Sequence, residues 1–256
     1  MSFVTLFLAA TPMTIVLSGD WAVERGISSC TVSQPFDVVP SHVGFKTVPN
    51  TDRVELLIAE PSSNRRSKTG AAAVTLSGSL AAESADYFSV SANGVRVTTI
   101  SLPRVTLDAL AKGQSITIKT DKSNTAIHLT EFDVALAKIA QCESDLLASW
   151  GFGKSEQESV SIPLKGSLRG LIKTSDYPPD LLRKGIGGIV GFRMRIDADG
   201  SVGECAVLES SGNKLLDQHT CSIIKQRARF TPAIRHDGTP MRSFTYGKIS
   251  WGWVGR

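Results

Sequence analysis

The stretch that decides the fold runs from Gly188 to Glu209 and reads GIVGFRMRIDADGSVGECAVLE. Its first half alternates. Val190, Phe192, Met194 and Ile196 fall on one side of an extended chain, Arg193 and Arg195 on the other, the pattern of a strand with one buried and one wet face. Asp199-Gly200 supplies the residues that a tight hairpin turn favours. Val202–Glu209 then returns as a second strand, with Cys205 and Val207 on one face. Downstream, Asn213 ends the loop Ser210-Ser211-Gly212 and is placed to cap a helix over Lys214–Ala228, which lines up Cys221, Ile224 and Ala228. Phe230–Ile234 is extended around Pro232, and Asp237-Gly238-Thr239-Pro240 turns the chain. A last strand, Ser243–Trp253, alternates Phe244, Tyr246, Lys248 and Ser250 with Thr245, Gly247, Ile249 and Trp251. Upstream, Tyr177-Pro178-Pro179 opens a short helix, Pro179–Lys184, closed by Gly185. The order helix, strand, strand, helix, strand predicts a three-stranded antiparallel sheet with helices on one face, an α+β unit over residues 171–256.

The segment before this unit, Gly153–Gly170, is polar and without sustained periodicity, and it reads as a linker. Residues 20–152 read as a β-rich domain ending in a helix. Strands are expected at Val54–Ala59, Ala73–Leu76, Phe88–Val90, Val95–Ile100 and Ser115–Lys119, separated by turn signals such as Asn93-Gly94. Ser62–Gly70 reads as an exposed loop. The helix Glu131–Ser149 carries Phe132, Ala135, Leu136, Ile139, Ala140, Leu146 and Leu147 at helical spacing, with Gly151 as its cap.

Composition fits two folded parts. The chain has 256 residues, 41% hydrophobic and 20% charged, which excludes a disordered chain, a collagen and a polytopic membrane protein. From Leu171 onward there are 13 Lys and Arg against 8 Asp and Glu, whereas the first 170 residues hold 15 against 16. The net charge of +4 is too mild to imply a nucleic-acid partner.

Met1–Gly19 contains no charged residue. It reads first as an export signal, with Leu8-Ala9-Ala10 as a cleavage site, second as an uncleaved anchor interrupted by Pro12, and third as a buried strand. The four cysteines form no CxxC, and no histidine stands at zinc-ligand spacing, so no metal and no cofactor are expected. In an exported chain they point to disulfides. Of the three connectivities, the division into two parts favours Cys30–Cys142 and Cys205–Cys221; the plain alternative is four buried thiols.

Catalytic motifs are absent. There is no GxSxG or HExxH, and His42, His128, His219 and His236 accompany no nucleophile motif. Asp197-Ala198-Asp199-Gly200 lacks the spacing of a calcium loop and reads as a turn. Gly185-Ile186-Gly187-Gly188 precedes a strand, not a helix, and is no phosphate loop. Arg193, Arg195, Arg227 and Arg229 read as a solvated face.

The C-terminal unit resembles the TonB C-terminal domain family. The resemblance rests on Tyr177-Pro178, the Gly188–Asp197 strand, Asp199-Gly200-Ser201-Val202, Ser210-Ser211-Gly212, Leu216-Asp217, Phe230-Thr231-Pro232-Ala233 and Asp237-Gly238-Thr239-Pro240. It implies a periplasmic domain, soluble or tethered to the inner membrane, that binds outer-membrane receptors by adding a receptor strand to its sheet edge. The expected partner-binding residues are those of the last strand: Ser243, Phe244, Thr245, Tyr246, Gly247, Lys248, Ile249 and Ser250. The same edge could pair two copies into a homodimer. The family's energy transducers carry a proline-rich rod, which this chain lacks; the 18 residues of the linker, fully extended, reach only about 60–65 Å. The leading expectation is therefore a periplasmic binding module, neither an enzyme nor a nucleic-acid binder. The alternatives are an envelope enzyme with its site in the N-terminal domain and a membrane-anchored transducer.

Overall fold

A computed structural model of the chain describes residues 20–36, 41–63, 66–77, 82–113, 115–121 and 123–252, together with the backbone of Met13–Val16. The contacts divide the chain into two units. One comprises Met1–Glu24, Thr31–Lys46 and Arg53–Ile139; the other comprises Arg25–Cys30, Thr47–Asp52 and Ala140–Arg256.

The N-terminal unit is built on a ten-stranded sheet. Its strands in chain order are β1 (Met13–Val16), β2 (Ala22–Arg25), β3 (Cys30–Phe36), β4 (Ser41–Thr47), β5 (Arg53–Pro61), β6 (Lys68–Leu76), β7 (Glu83–Ala92), β8 (Val95–Pro103), β9 (Ile116–Lys119) and β10 (Asn124–His128). In space they run β1-β10-β9-β6-β7-β8-β5-β4-β3-β2, and β1 pairs parallel to β10. Alternation chooses the inner face: Val54 and Leu56, Ala72 and Val74, Ile100 and Leu102, and Ile116 and Ile118 are all buried. Helix α1 (Val105–Ala111) adds Leu107 and Leu110, and helix α2 (Phe132–Ser149) adds Phe132, Ala135 and Ile139. Trp21, Phe45 and Phe132 pack as an aromatic trio, the closest centroids 4.9 Å apart.

Two expectations change here. Met13–Val16 is a strand, while the rest of the expected export signal, residues 1–12 and 17–19, lies outside the described residues. Lys68–Gly70, read as loop, starts β6: pairing with Ser89, Phe88 and Tyr87 of β7 overrides its polar composition. The strands β2, β3, β4 and β10 and the helix α1 add to the elements expected from the sequence. Among the described residues no helix is long and apolar enough to cross a membrane.

The C-terminal unit contains α3 (Lys154–Glu158), β11 (Val160–Ile162), α4 (Pro179–Arg183), β12 (Gly188–Ile196), β13 (Val202–Glu209), α5 (Lys214–Arg227), β14 (Ala233–Arg235), β15 (Pro240–Met241) and β16 (Ser243–Trp251). The expected three-stranded antiparallel sheet is present in the order β13-β12-β16. Gly200, at φ 81°, sits in the β12–β13 turn, where the Asp199 carboxylate accepts from the Ser201 amide and hydroxyl. The Asn213 side chain caps α5 by accepting from the amides of Leu215 and Leu216. Val190, Phe192, Met194 and Ile196 meet Leu216, Ile223 and Ile224 of α5 in one core.

Gly153–Gly170 is not a linker. It holds α3 and β11; β11 pairs with β14, and β14 with β15, in a second three-stranded sheet, and Lys165 bridges to Thr231. Leu164 is buried, and Leu168 packs against the α5-side core. Its apolar residues dock through partners about 70 residues away, so their spacing carries no local period. Nor are helices confined to one side of the β13-β12-β16 sheet. The face opposite α5 packs Phe244 and Tyr246 with Leu146, Leu147, Trp150 and Phe152 from the end of α2 and the residues after it.

Candidate functional site

Among the described residues β16 pairs with β12 alone, in unbroken register from Ile196↔Ser243 to Gly188↔Trp251, so its other side is a sheet edge. Two observations fix which of its backbone groups face outward. At the hairpin the Asp197 amide donates to the Ser201 carbonyl, so the odd-numbered groups of β12 turn toward β13 and the even-numbered ones toward β16. Through the register, Ser243, Thr245, Gly247, Ile249 and Trp251 bond to β12, while Phe244, Tyr246, Lys248 and Ser250 point away from it. In agreement, the Phe244 carbonyl accepts a 2.8 Å hydrogen bond from the Asn50 side chain.

The eight candidate residues are not equivalent. Ser243, Phe244, Thr245 and Tyr246 are buried. The turn at Val48–Thr51, part of the same unit, covers the edge there. Asn50 also donates to the Ser243 hydroxyl at 3.2 Å, and the Thr245 hydroxyl donates to the Pro49 carbonyl. Of the expected partner-binding residues, Ser243, Phe244 and Thr245 are thus already engaged by this turn. Gly247 and Ile249 are half-buried, and Lys248 and Ser250 are exposed. Among the described residues no hydrogen bond reaches the outward backbone of Tyr246, Lys248 or Ser250. The expected end of the strand, Trp253, lies outside the described residues.

The side chains along this edge form two surfaces. On the α5 side, Leu168 fills the space that a Cβ on Gly247 would take. The Trp251 indole packs near Tyr177 and donates to the Thr220 hydroxyl at 2.7 Å. On the other side, Tyr246 lies across Gly191, where any Cβ would collide with its hydroxyl. That hydroxyl donates to the Glu209 carboxylate at 2.7 Å. Lys248 Nζ stands 2.9 Å from the same carboxylate, and the Ser28 hydroxyl 3.2 Å away donates to it. Burial pushes the Glu209 carboxyl up, but the hydrogen bonds from Lys248, Tyr246 and Ser28 outweigh it and hold the group below its ordinary value. Burial, reinforced by the bond to Glu209, pushes the Tyr246 phenol well up, so it stays a donor.

The cysteines form Cys30–Cys142, with Cα atoms 6.0 Å apart, and Cys205–Cys221, at 5.5 Å. The second pins β13 to α5. The first sits among Leu146, Trp150 and Phe244, beneath the covered half of β16. The four arginines read as a solvated face are engaged. Arg193 pairs with Glu204 and lies over the Phe244 ring, Arg195 pairs with Asp197, Arg227 grips Asp176 through two bonds of 2.7 and 2.8 Å, and Arg229 donates to carbonyls. Arg227 holds the Asp176 carboxyl down at about 2. Ser210 and Ser211 both donate to Asp217, which makes them helix-entry groups. Among the described residues no cluster of His, Cys, Asp or Glu could hold a metal. In the N-terminal unit a groove of about 520 Å³, bordered by Thr69, Asp86, Tyr87, Phe88, Thr99 and Ser101, offers a single carboxylate.

Sequence reasoning missed Asn50, Ser28, Leu168 and the role of Glu209. Pro49-Asn50 carries a turn signal, but nothing local tells which strand the turn will meet.

No curated protein and no solved structure matches the chain. Residues 173–252, a segment that runs from before α4 to the end of β16, match the family described as Gram-negative bacterial TonB protein C-terminal.

Proposed function

We propose that the chain is a periplasmic binding protein whose C-terminal module captures an extended segment of an outer-membrane receptor, or of another envelope protein, by strand addition to β16 in TonB-dependent transport. The observation that carries this reading is the half-open edge: Tyr246, Lys248 and Ser250 turn their backbone groups outward, and among the described residues none of these is bonded. An added strand would bond to those groups, while Ile249, Lys248 and Glu209 on the two flanking surfaces would select its side chains. The two disulfides suit an oxidising compartment. Lys248 on the open half is a charge of the kind that discourages edge-to-edge pairing of copies, which favours a foreign strand over a homodimer. We read the chain as a binding protein and not an enzyme, with the N-terminal unit as an accessory domain.

A proline scan tests the reading, with a peptide from the plug end of a TonB-dependent outer-membrane receptor as probe. Lys248→Pro and Ser250→Pro each remove an outward amide and leave the β12 ladder intact, so both variants should fold and lose binding. Folded Lys248→Pro and Ser250→Pro variants that bind as well as the parent would show that the strand does not add here.

A further inference from the structure

We propose that the Val48–Thr51 turn is a built-in stop on the docking edge, so that β16 accepts only a short strand alongside Tyr246–Ser250; the inference rests on the docking reading above. An added strand that ran the full length of β16 would place one of its amides on the outward carbonyl of Phe244. The Asn50 side-chain amide already occupies that carbonyl at 2.8 Å. The turn is built to hold it there. Asn50 has φ 58°, in the left-handed region that asparagine tolerates better than most residues, and the Thr51 hydroxyl donates to the Val48 carbonyl at 2.9 Å. Asn50 donates a second time, to Ser243, the Thr245 hydroxyl reaches Pro49, and Val48 packs into the cluster that holds Phe244 and Tyr246. A longer strand must displace this whole set before it gains Phe244. A strand that ends beside Tyr246 displaces nothing. The partner that fits is an extended segment of about five residues, the span of the open half at one residue per position along a strand. Its chain must leave the sheet direction before Phe244.

Two receptor plug peptides test this, one matching Tyr246–Ser250 in length and one matching Ser243–Trp251. Asn50→Gly keeps the left-handed turn and deletes the amide. Asn50→Asp deletes the donors and sets a carboxylate against the Phe244 carbonyl, and it serves if the glycine variant does not fold by circular dichroism. Freeing one edge hydrogen bond should tighten the longer peptide about five- to ten-fold and leave the shorter one within about two-fold. Binding of the longer peptide that is equal in parent and variant overturns the stop and leaves the docking reading standing. Silence from both peptides with every protein overturns the docking reading and the stop with it.

Discussion

The two halves of β16 share one strand, one partner and one register, yet Ser243–Tyr246 behaves as core and Gly247–Ser250 as surface. What separates them is what lies across each half. Over the first half stand Trp150 and Phe152 on one face and the Val48–Thr51 turn at the edge. Over the second, the outer face holds the Glu209, Tyr246, Lys248 and Ser28 network, and among the described residues the edge meets no backbone partner. An edge strand is a hazard when left bare and a binding site when left bare on purpose. In this strand half the edge is closed by the chain's own residues and the remaining half bears a lysine. A family pattern that marks the strand as a whole cannot show that distinction, since the closing residues lie outside the matched segment 173–252.

The comparison can be broken most strongly at Phe244. Truncating this buried ring to alanine should cost about 3–5 kcal/mol, whereas Lys248→Ala should stay within about 0.5 kcal/mol. Urea denaturation of the two variants measures this; similar losses would mean that the halves are not different environments. A weaker effect belongs to the opposite side of the sheet. Removing the Cys205–Cys221 bridge, whose partners are 16 positions apart, should cost about 3 kcal/mol in the chain-entropy view and loosen β13 without opening β16. Amide exchange should therefore quicken along Val202–Glu209 while Ser243 and Thr245, bonded to β12, keep their protection. If the buried half of β16 loosens equally, the two edges are one cooperative element.

The smallest effect concerns pH. Glu209 is depressed by its partners, so the stability it contributes is present above its unfolded value and fades as pH falls through the lowered folded one. Replacing Lys248 with methionine removes the first-named of those hydrogen bonds and should move the Glu209 titration, followed by carboxyl NMR, upward toward the ordinary range. An unmoved titration would show that Tyr246 and Ser28 hold the charge without Lys248.

Local pattern carried the C-terminal module because its decisive contacts are local. The alternation of Val190–Ile196, the Asp199-Gly200 turn and the Asn213 cap each act within a few residues, and each appears in the structure as read. The Cys205–Cys221 pair was accessible for the same reason, since a strand and the next helix bring it together. What escaped was set by distant partners. Leu164 and Leu168 dock on a sheet formed later in the chain, so a stretch with no period read as linker. Asn50 meets a strand 194 positions away, and no spacing rule reaches that far. The outward parity of β16 likewise depends on the hydrogen bond that closes the neighbouring hairpin, not on the alternation of its side chains.

The most direct measurement is residue-resolved amide exchange of β16 with and without a receptor plug peptide. The account predicts that Tyr246, Lys248 and Ser250 gain protection on binding while Gly247 and Ile249, bonded to β12 throughout, do not change. Binding that leaves those three amides as exposed as before, or that protects residues elsewhere in the chain instead, would contradict it.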